Sequence, residues 1–269
     1  MAQWGYCNHN GPSTWANNIP AAGGKSQSPI DIVTKDAVYE EGLSASPFKM
    51  FHKPESAIDL INTGSSVQVT YDLAGSSLEG GPLKNKYKLA QFHFHWGTVS
   101  TKGSEHTVDG QRFAEEVHLV HMNTDKYPTF EEAVKHPDGL CVLGAFLKPG
   151  KSNAGMQQLV DNFSNIKYKG KKMKLGPFDP ETMLPADKTK YWTYAGSLTT
   201  PPCLECVTWV VFKDPVEATE EQIDAFRHLM STPEGESAPA DEELEGHLVE
   251  NYRPPCALNG RVVKASFKS

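Results

Sequence analysis

A mainly β protein of the α+β class is what this sequence predicts: one domain over residues 1–269, built on a large, mostly antiparallel sheet with short surface helices. Three observations carry the expectation. Short alternating or β-branched runs recur from Ile30 to Val120, with Gly, Asn, Asp and Ser clustered between them. Helical spacing shows in a few short stretches, and no low-complexity linker or internal repeat marks a domain boundary.

The elements follow in order. Up to about Pro29 the chain is rich in Gly, Pro, Asn and Trp without a period, which predicts an irregular surface segment pinned by Trp4 and Trp15. Strands are expected over 30–33, 57–61, 66–71, 87–96 and 114–121. Thr129 with Glu132 fits a capping box, and Phe130 with Val134 falls at helical spacing, so 129–135 predicts a short helix. The near-continuous apolar run 140–147 reads as a buried central strand. Met156, Leu159, Val160 and Phe163 form one helical stripe; behind a Thr219 cap, Ile223, Phe226, Leu229 and Met230 form another. Strands over 191–194 and 206–212 flank a loop, 196–202, stiffened by Pro201 and Pro202. An acidic surface loop over 231–243 and a strand near 261–267 close the chain.

A net charge of -7 disfavours nucleic acid and anionic membranes as partners, and the lysine-rich stretch 167–174 reads as a solvated loop. No run approaches a membrane-spanning length, and the opening residues lack the features of a secretory leader, so a cytoplasmic protein is expected. Five cysteines are an odd number at low density, which predicts reduced thiols. The sequon Asn162-Phe163-Ser164 is then a chance match.

The chemistry centres on Gln91-Phe92-His93-Phe94-His95-Trp96. On a strand, Gln91, His93 and His95 share one face and the three aromatics the other. Two imidazoles roughly 7 Å apart along a strand can converge on one ion, although a His-x-His pair alone is more often a polar outer face. A third ligand decides between the readings. On the run 114–121, Glu116, His118 and Val120 share a face. Metal-bound imidazoles donate their other N–H to a carboxylate or amide, and Glu116 and Gln91 stand two residues before His118 and His93. Three histidines from two strands leave a fourth coordination position to water, the arrangement of a catalytic zinc site.

Seven motifs in register make the chain similar to an α-class carbonic anhydrase of the cytosolic type. They are Trp4-Gly5-Tyr6, Gln27-Ser28-Pro29-Ile30, the stretch 91–97, the stretch 103–109, the stretch 116–121, Ser197-Leu198-Thr199-Thr200-Pro201-Pro202, and Lys264-Ala265-Ser266-Phe267. The resemblance implies a twisted sheet of about ten strands, cis peptide bonds before Pro29 and Pro202, and a monomer with Zn(2+) at the bottom of a cone. The activity it implies is reversible hydration of carbon dioxide to bicarbonate through zinc-bound hydroxide, with a side esterase activity.

Carried over by position, the zinc ligands are His93, His95 and His118, held by Gln91, Glu116 and the carbonyl of Asn251. Thr199 and Glu105 match the catalytic gate. Val120, Val142, Leu198, Val207 and Trp209 match the apolar wall of the substrate pocket, Phe130 its rim and Thr200 its polar side. His106 and His121 match buried structural histidines. Tyr6, Asn62 and Ser65 fall on the proton path, where faster relatives carry histidine in place of Ser65. Serine cannot take up a proton near pH 7, whereas imidazole, with a pKa of about 6.5, can. The surface histidines His9, His52, His136, His228 and His247 are the available substitutes.

Departures are Ala22, where extracellular relatives pair a cysteine with the position of Cys203, and Met122 and Tyr252, where relatives often carry tryptophan. The alternative from another class is a non-enzymatic zinc-binding scaffold of the same fold. Such a scaffold usually lacks one or more of the zinc histidines, and all three are present here.

Overall fold

Aromatic and polar residues alternate through Tyr87–Trp96, and this strand lies in the middle of a thirteen-stranded sheet in the computed structural model, which describes residues 4–238 and 243–268. The main path runs Lys172–Lys174, Ala57–Asn62, Val67–Tyr71, Tyr87–Trp96, Glu115–Asn123, Leu140–Pro149, Val207–Phe212, Tyr191–Gly196, Lys264–Ala265, Val38–Tyr39. Lys49–His52, Ser76–Glu79 and Val216–Ala218 attach beside it, which takes the sheet beyond the ten strands expected. The sheet is mixed. Leu140–Pro149 runs parallel to both Val207–Phe212 and Val216–Ala218, and Lys264–Ala265 runs parallel to Val38–Tyr39. Cis peptide bonds precede Pro29 and Pro202, as the resemblance implies.

Both faces of the sheet are covered. Phe92, Phe94 and Trp96 enter the larger core, where Phe94 and Trp96 pack edge-on against Phe226 of the capped helix Glu220–Phe226. Burying each of these rings contributes roughly 1.5–3 kcal/mol before chain entropy is set against it, so Trp96→Ala would cost about 3–5 kcal/mol. The smaller core lies around Val120, Val142 and Trp209. Glu115–Asn123 sits between the two and is buried at every position.

Local signals set the helices. Thr219 and Gln222 complete a capping box, whereas Thr129 makes only the side-chain half of one, accepting from the Glu132 amide. The helix Phe130–Ala133 is shorter than expected because Pro137 follows and disfavours helical backbone at His136. Part of the lysine-rich stretch is not loop: Lys172–Lys174 is an edge strand on Ala57–Asn62, and lysines flanking Met173 are what an edge tolerates. The closing strand is only Lys264–Ala265. Positions 239–242 of the acidic segment and the opening residues 1–3 lie outside the described residues. Among the described residues no helix is long and apolar enough to cross a membrane.

Candidate metal centre

Strand pairing brings the three histidines together. His93 and His95 share a face of Tyr87–Trp96, and His118 is the direct cross-strand partner of His93. Their ring centroids lie 4.7–5.3 Å apart, and one ligand nitrogen from each falls within 4.8 Å of the others. The hydrogen bonds say which nitrogen. His93 Nδ1 donates to Gln91 Oε1 at 2.8 Å, His95 Nδ1 to the Asn251 carbonyl at 2.7 Å, and His118 Nε2 to Glu116 Oε1 at 2.7 Å. Because each acceptor is an oxygen, the lone pairs left over are His93 Nε2, His95 Nε2 and His118 Nδ1.

Those lone pairs meet a second acceptor. Buried Glu105 Oε2 lies 3.3 Å from His95 Nε2 and 3.8 Å from His118 Nδ1, and neither it nor His95 Nε2 has a hydrogen-bond partner. Buried acceptors facing one another call for a proton or a cation between them. Burial, with the mutual repulsion of His93, His95 and His118, holds the His93 pKa well below its ordinary value; burial and His118 bring His95 down to about 3. Burial also lowers His118, against the pull of Glu116. Three neutral imidazoles in this arrangement suit a zinc ion.

Glu116 locks the arrangement. Its Oε1 accepts from His118 Nε2 and, at 2.6 Å, from His106 Nδ1, while Oε2 accepts from the amides of Glu105 and His106. Burial alone would raise its pKa, but His106 and His118 outweigh that and hold it well below the carboxylate range. His106, Glu116 and His118 are close enough to form a second metal group. Their atoms already serve one another, and His106 Nε2 lies 2.7 Å from the Tyr194 hydroxyl, so this group is scaffolding.

The remaining expected residues gather around the centre. Arg253 donates its backbone N–H to Glu105 Oε1 at 2.7 Å. Burial first and Glu116 second push the Glu105 pKa well up, and the Thr199 hydroxyl, 4% exposed as a residue, acts against that rise. Val120 pairs with Val142 and Val142 with Trp209; Val207 and Leu198 join the same apolar cluster, with Phe130 packed against it. The Trp209 ring lies 4.7 Å from that of His118, so the apolar cluster abuts the histidine group. Thr200 is half-buried at its edge.

The residues expected on the proton path divide. Tyr6 Oη is buried without a partner. Ser65 is half-buried in the turn after Asn62, and its carbonyl accepts from Asn251 Nδ2 at 2.9 Å. Asn62, however, is fully buried: its amide donates to the Lys167 and Met230 carbonyls and its oxygen accepts from the Gly64 amide. Its side chain is therefore a strut of the turn, spent on backbone. His52 is not a surface residue either, for it is buried 3.2 Å from His121. Sequence reasoning missed the Arg253 amide, which no motif could reveal because its partner is 148 residues away. Cys141, Cys203, Cys206 and Cys256 are free thiols, and Ala22 packs in the cluster that holds Cys203.

Residues 10–267 match the family model described as eukaryotic-type carbonic anhydrase. The chain is 43% identical over 267 residues to carbonic anhydrase 1 of Monodelphis domestica, covering 98% of each. It is 45% identical over 268 residues to carbonic anhydrase 7 of Homo sapiens, covering 99% of this chain and 98% of the relative. To carbonic anhydrase 3 of Rattus norvegicus it is 45% identical over 268 residues, covering 99% of each.

Proposed function

The chain belongs to the eukaryotic-type carbonic anhydrase family, and from that premise we propose that it hydrates carbon dioxide reversibly at a zinc centre formed by His93, His95 and His118. The observation that carries the reading is three ring nitrogens left with a free lone pair, from half-buried His93 and buried His95 and His118, converging beside an apolar wall. Zinc held there would act as a Lewis acid that makes hydroxide available near pH 7, about the value that comes from carbonic anhydrase itself.

The chain's own residues do the rest. Gln91, Glu116 and the Asn251 carbonyl fix ring orientation and tautomer, so no reorganisation is needed when the ion binds. Thr199 that donates to Glu105 can only accept on its other side, which turns a nucleophile's lone pair towards the substrate. Carbon dioxide is small and apolar, and Val120, Val142, Leu198, Val207 and Trp209 offer it a slot without competing polar groups. Thr200 faces the charged product from the polar side. Activated esters should react at the same place, and a primary sulfonamide should inhibit by taking the open position while its N–H donates to Thr199. A cytoplasmic monomer completes the reading, with Ala22 beside Cys203 removing the extracellular disulfide position.

Ser65 makes proton release the slow step. Transfer from a donor of pKa near 7 straight to water is uphill by about nine units, which caps it at on the order of 10⁴ per second. Stoichiometric zinc with carbon dioxide hydration tests the proposal, and its absence in the zinc-loaded protein would refute it. In weak buffer, turnover should rise with added imidazole and by up to about 100-fold in Ser65→His, with kcat/KM unchanged. Buffer-independent turnover near 10⁶ per second would show that another group already carries the proton.

A further inference from the structure

Two contacts that set up the centre come from backbone atoms of one short, irregular segment. The Asn251 carbonyl accepts from His95 Nδ1, and the Arg253 amide donates to Glu105 Oε1, each at 2.7 Å. A backbone atom is aimed only by the chain on either side of it, so whatever fixes the backbone here fixes both contacts. Glu250, immediately before Asn251, has φ of 54°, a left-handed conformation that side chains larger than glycine seldom adopt. Something has to hold it there.

The Glu250 carboxylate is fully engaged. Oε1 accepts from the Thr98 amide and hydroxyl, each at 2.8 Å, and lies 2.9 Å from Lys102 Nζ; Oε2 accepts from the Tyr252 hydroxyl at 2.7 Å. Burial would raise its pKa, but these donors hold it below the usual range. Thr98 stands three residues beyond His95, so the carboxylate ties the segment back to the chain that carries two of the ligands. Beside it, Trp96 donates its amide to Asn251 Oδ1 and its indole N–H to the Leu248 carbonyl, each at 2.8 Å.

We propose that Glu250 is a positioning residue of the metal centre: locked onto Thr98 and Tyr252, it maintains the left-handed turn that aims the Asn251 carbonyl at His95 and the Arg253 amide at Glu105. The proposal rests on the reading of His93, His95 and His118 as zinc ligands. Without the carboxylate the backbone relaxes, His95 loses the acceptor that fixes its tautomer, and Glu105 loses its tether. Tyr252, at a place where relatives often carry tryptophan, supplies a hydroxyl to this lock.

The test is the zinc affinity of the metal-free protein, measured by chelator competition alongside its melting temperature. Glu250→Ala is expected to weaken zinc binding about tenfold, the lower end of what losing a direct partner of a ligand costs. Glu250→Gln keeps an oxygen for Thr98 and should stay within about threefold of wild type, and Tyr252→Phe, which removes one bond, should weaken binding by a similar factor. Lys102→Ala removes only the exposed charge partner and should bind as wild type does. Glu250→Ala within twofold of wild type, or Glu250→Gln as weak as Glu250→Ala, overturns the proposal. Should Glu250→Ala not fold, Tyr252→Phe decides, and unchanged affinity there also overturns it. A wild-type protein that takes up no zinc would instead overturn the reading of the centre.

Discussion

The Glu115–Asn123 strand turns Glu116, His118 and Val120 to one face and Glu115, Val117, Leu119 and His121 to the other, and all seven residues are buried. Each face carries a carboxylate and an imidazole. Burial lowers the pKa of both histidines, that of His121 to about 3, so neither burial nor basicity separates them. Ring nitrogens do. His121 donates Nδ1 to the Leu119 carbonyl at 3.1 Å and turns Nε2 to His52 Nε2, which leaves nothing for an ion. His118 has one nitrogen committed to Glu116 and one directed at His93 and His95. The carboxylates differ in the opposite sense, since Glu116 has protein donors on both oxygens and Glu115 has none on either. A buried histidine becomes a ligand only when its partners leave a lone pair over, and a buried carboxylate organises a site only when donors surround it.

The widest separation should come from paired alanine variants. His118→Ala is expected to lower zinc affinity and hydration by more than about 100-fold, beyond what losing a ligand's partner costs, with the circular dichroism of the sheet unchanged. His121→Ala should cost about 1–3 kcal/mol of stability, because His52 loses its partner, and keep stoichiometric zinc. Equal zinc loss in both would break the comparison.

A smaller effect is expected between the carboxylates. Glu116→Gln puts an amide donor among four donors and should weaken zinc binding about 10–100-fold at constant fold, read by chelator competition.

Glu115→Gln should leave zinc alone and change the pH dependence of stability. Burial is the main cause that pushes the Glu115 pKa well up, with Arg227 opposing it and Glu220 adding to it. Its folded value therefore lies above the unfolded value of about 4.3, so Glu115 binds more protons folded than unfolded. Below the unfolded pKa it costs nothing. As pH rises above that value, stability falls by about 1.4 kcal/mol per pH unit until the folded pKa is reached. Relative to wild type, Glu115→Gln should gain stability along that slope in denaturant melts from pH 4 to 8; parallel curves would show that Glu115 is ionised in the fold.

Much of this was legible in the sequence because a strand repeats every two residues. His93 with Gln91, and His118 with Glu116, are paired by that period alone, and Phe92, Phe94 and Trp96 mark the opposite face. The same period sets Glu116 apart from Glu115, but that Glu115 meets no donor on its own face depends on what packs there. Asn251 was reachable only through the family resemblance, and Glu250 and Arg253 not at all. Their contacts with the His95 region join residues more than 140 positions apart, two of them through backbone atoms that every residue possesses. His52 was misplaced for a related reason: a polar residue on an edge strand looks exposed until the neighbouring rings are in place.

The most direct test is the nitrogen NMR spectrum of the histidine rings, recorded without zinc and with one equivalent. The hydrogen bonds predict that zinc shifts Nε2 of His93, Nε2 of His95 and Nδ1 of His118, while both nitrogens of His121 and His106 stay where they are. Zinc on a matching nitrogen of all three rings, or a shift at His121, would contradict the account.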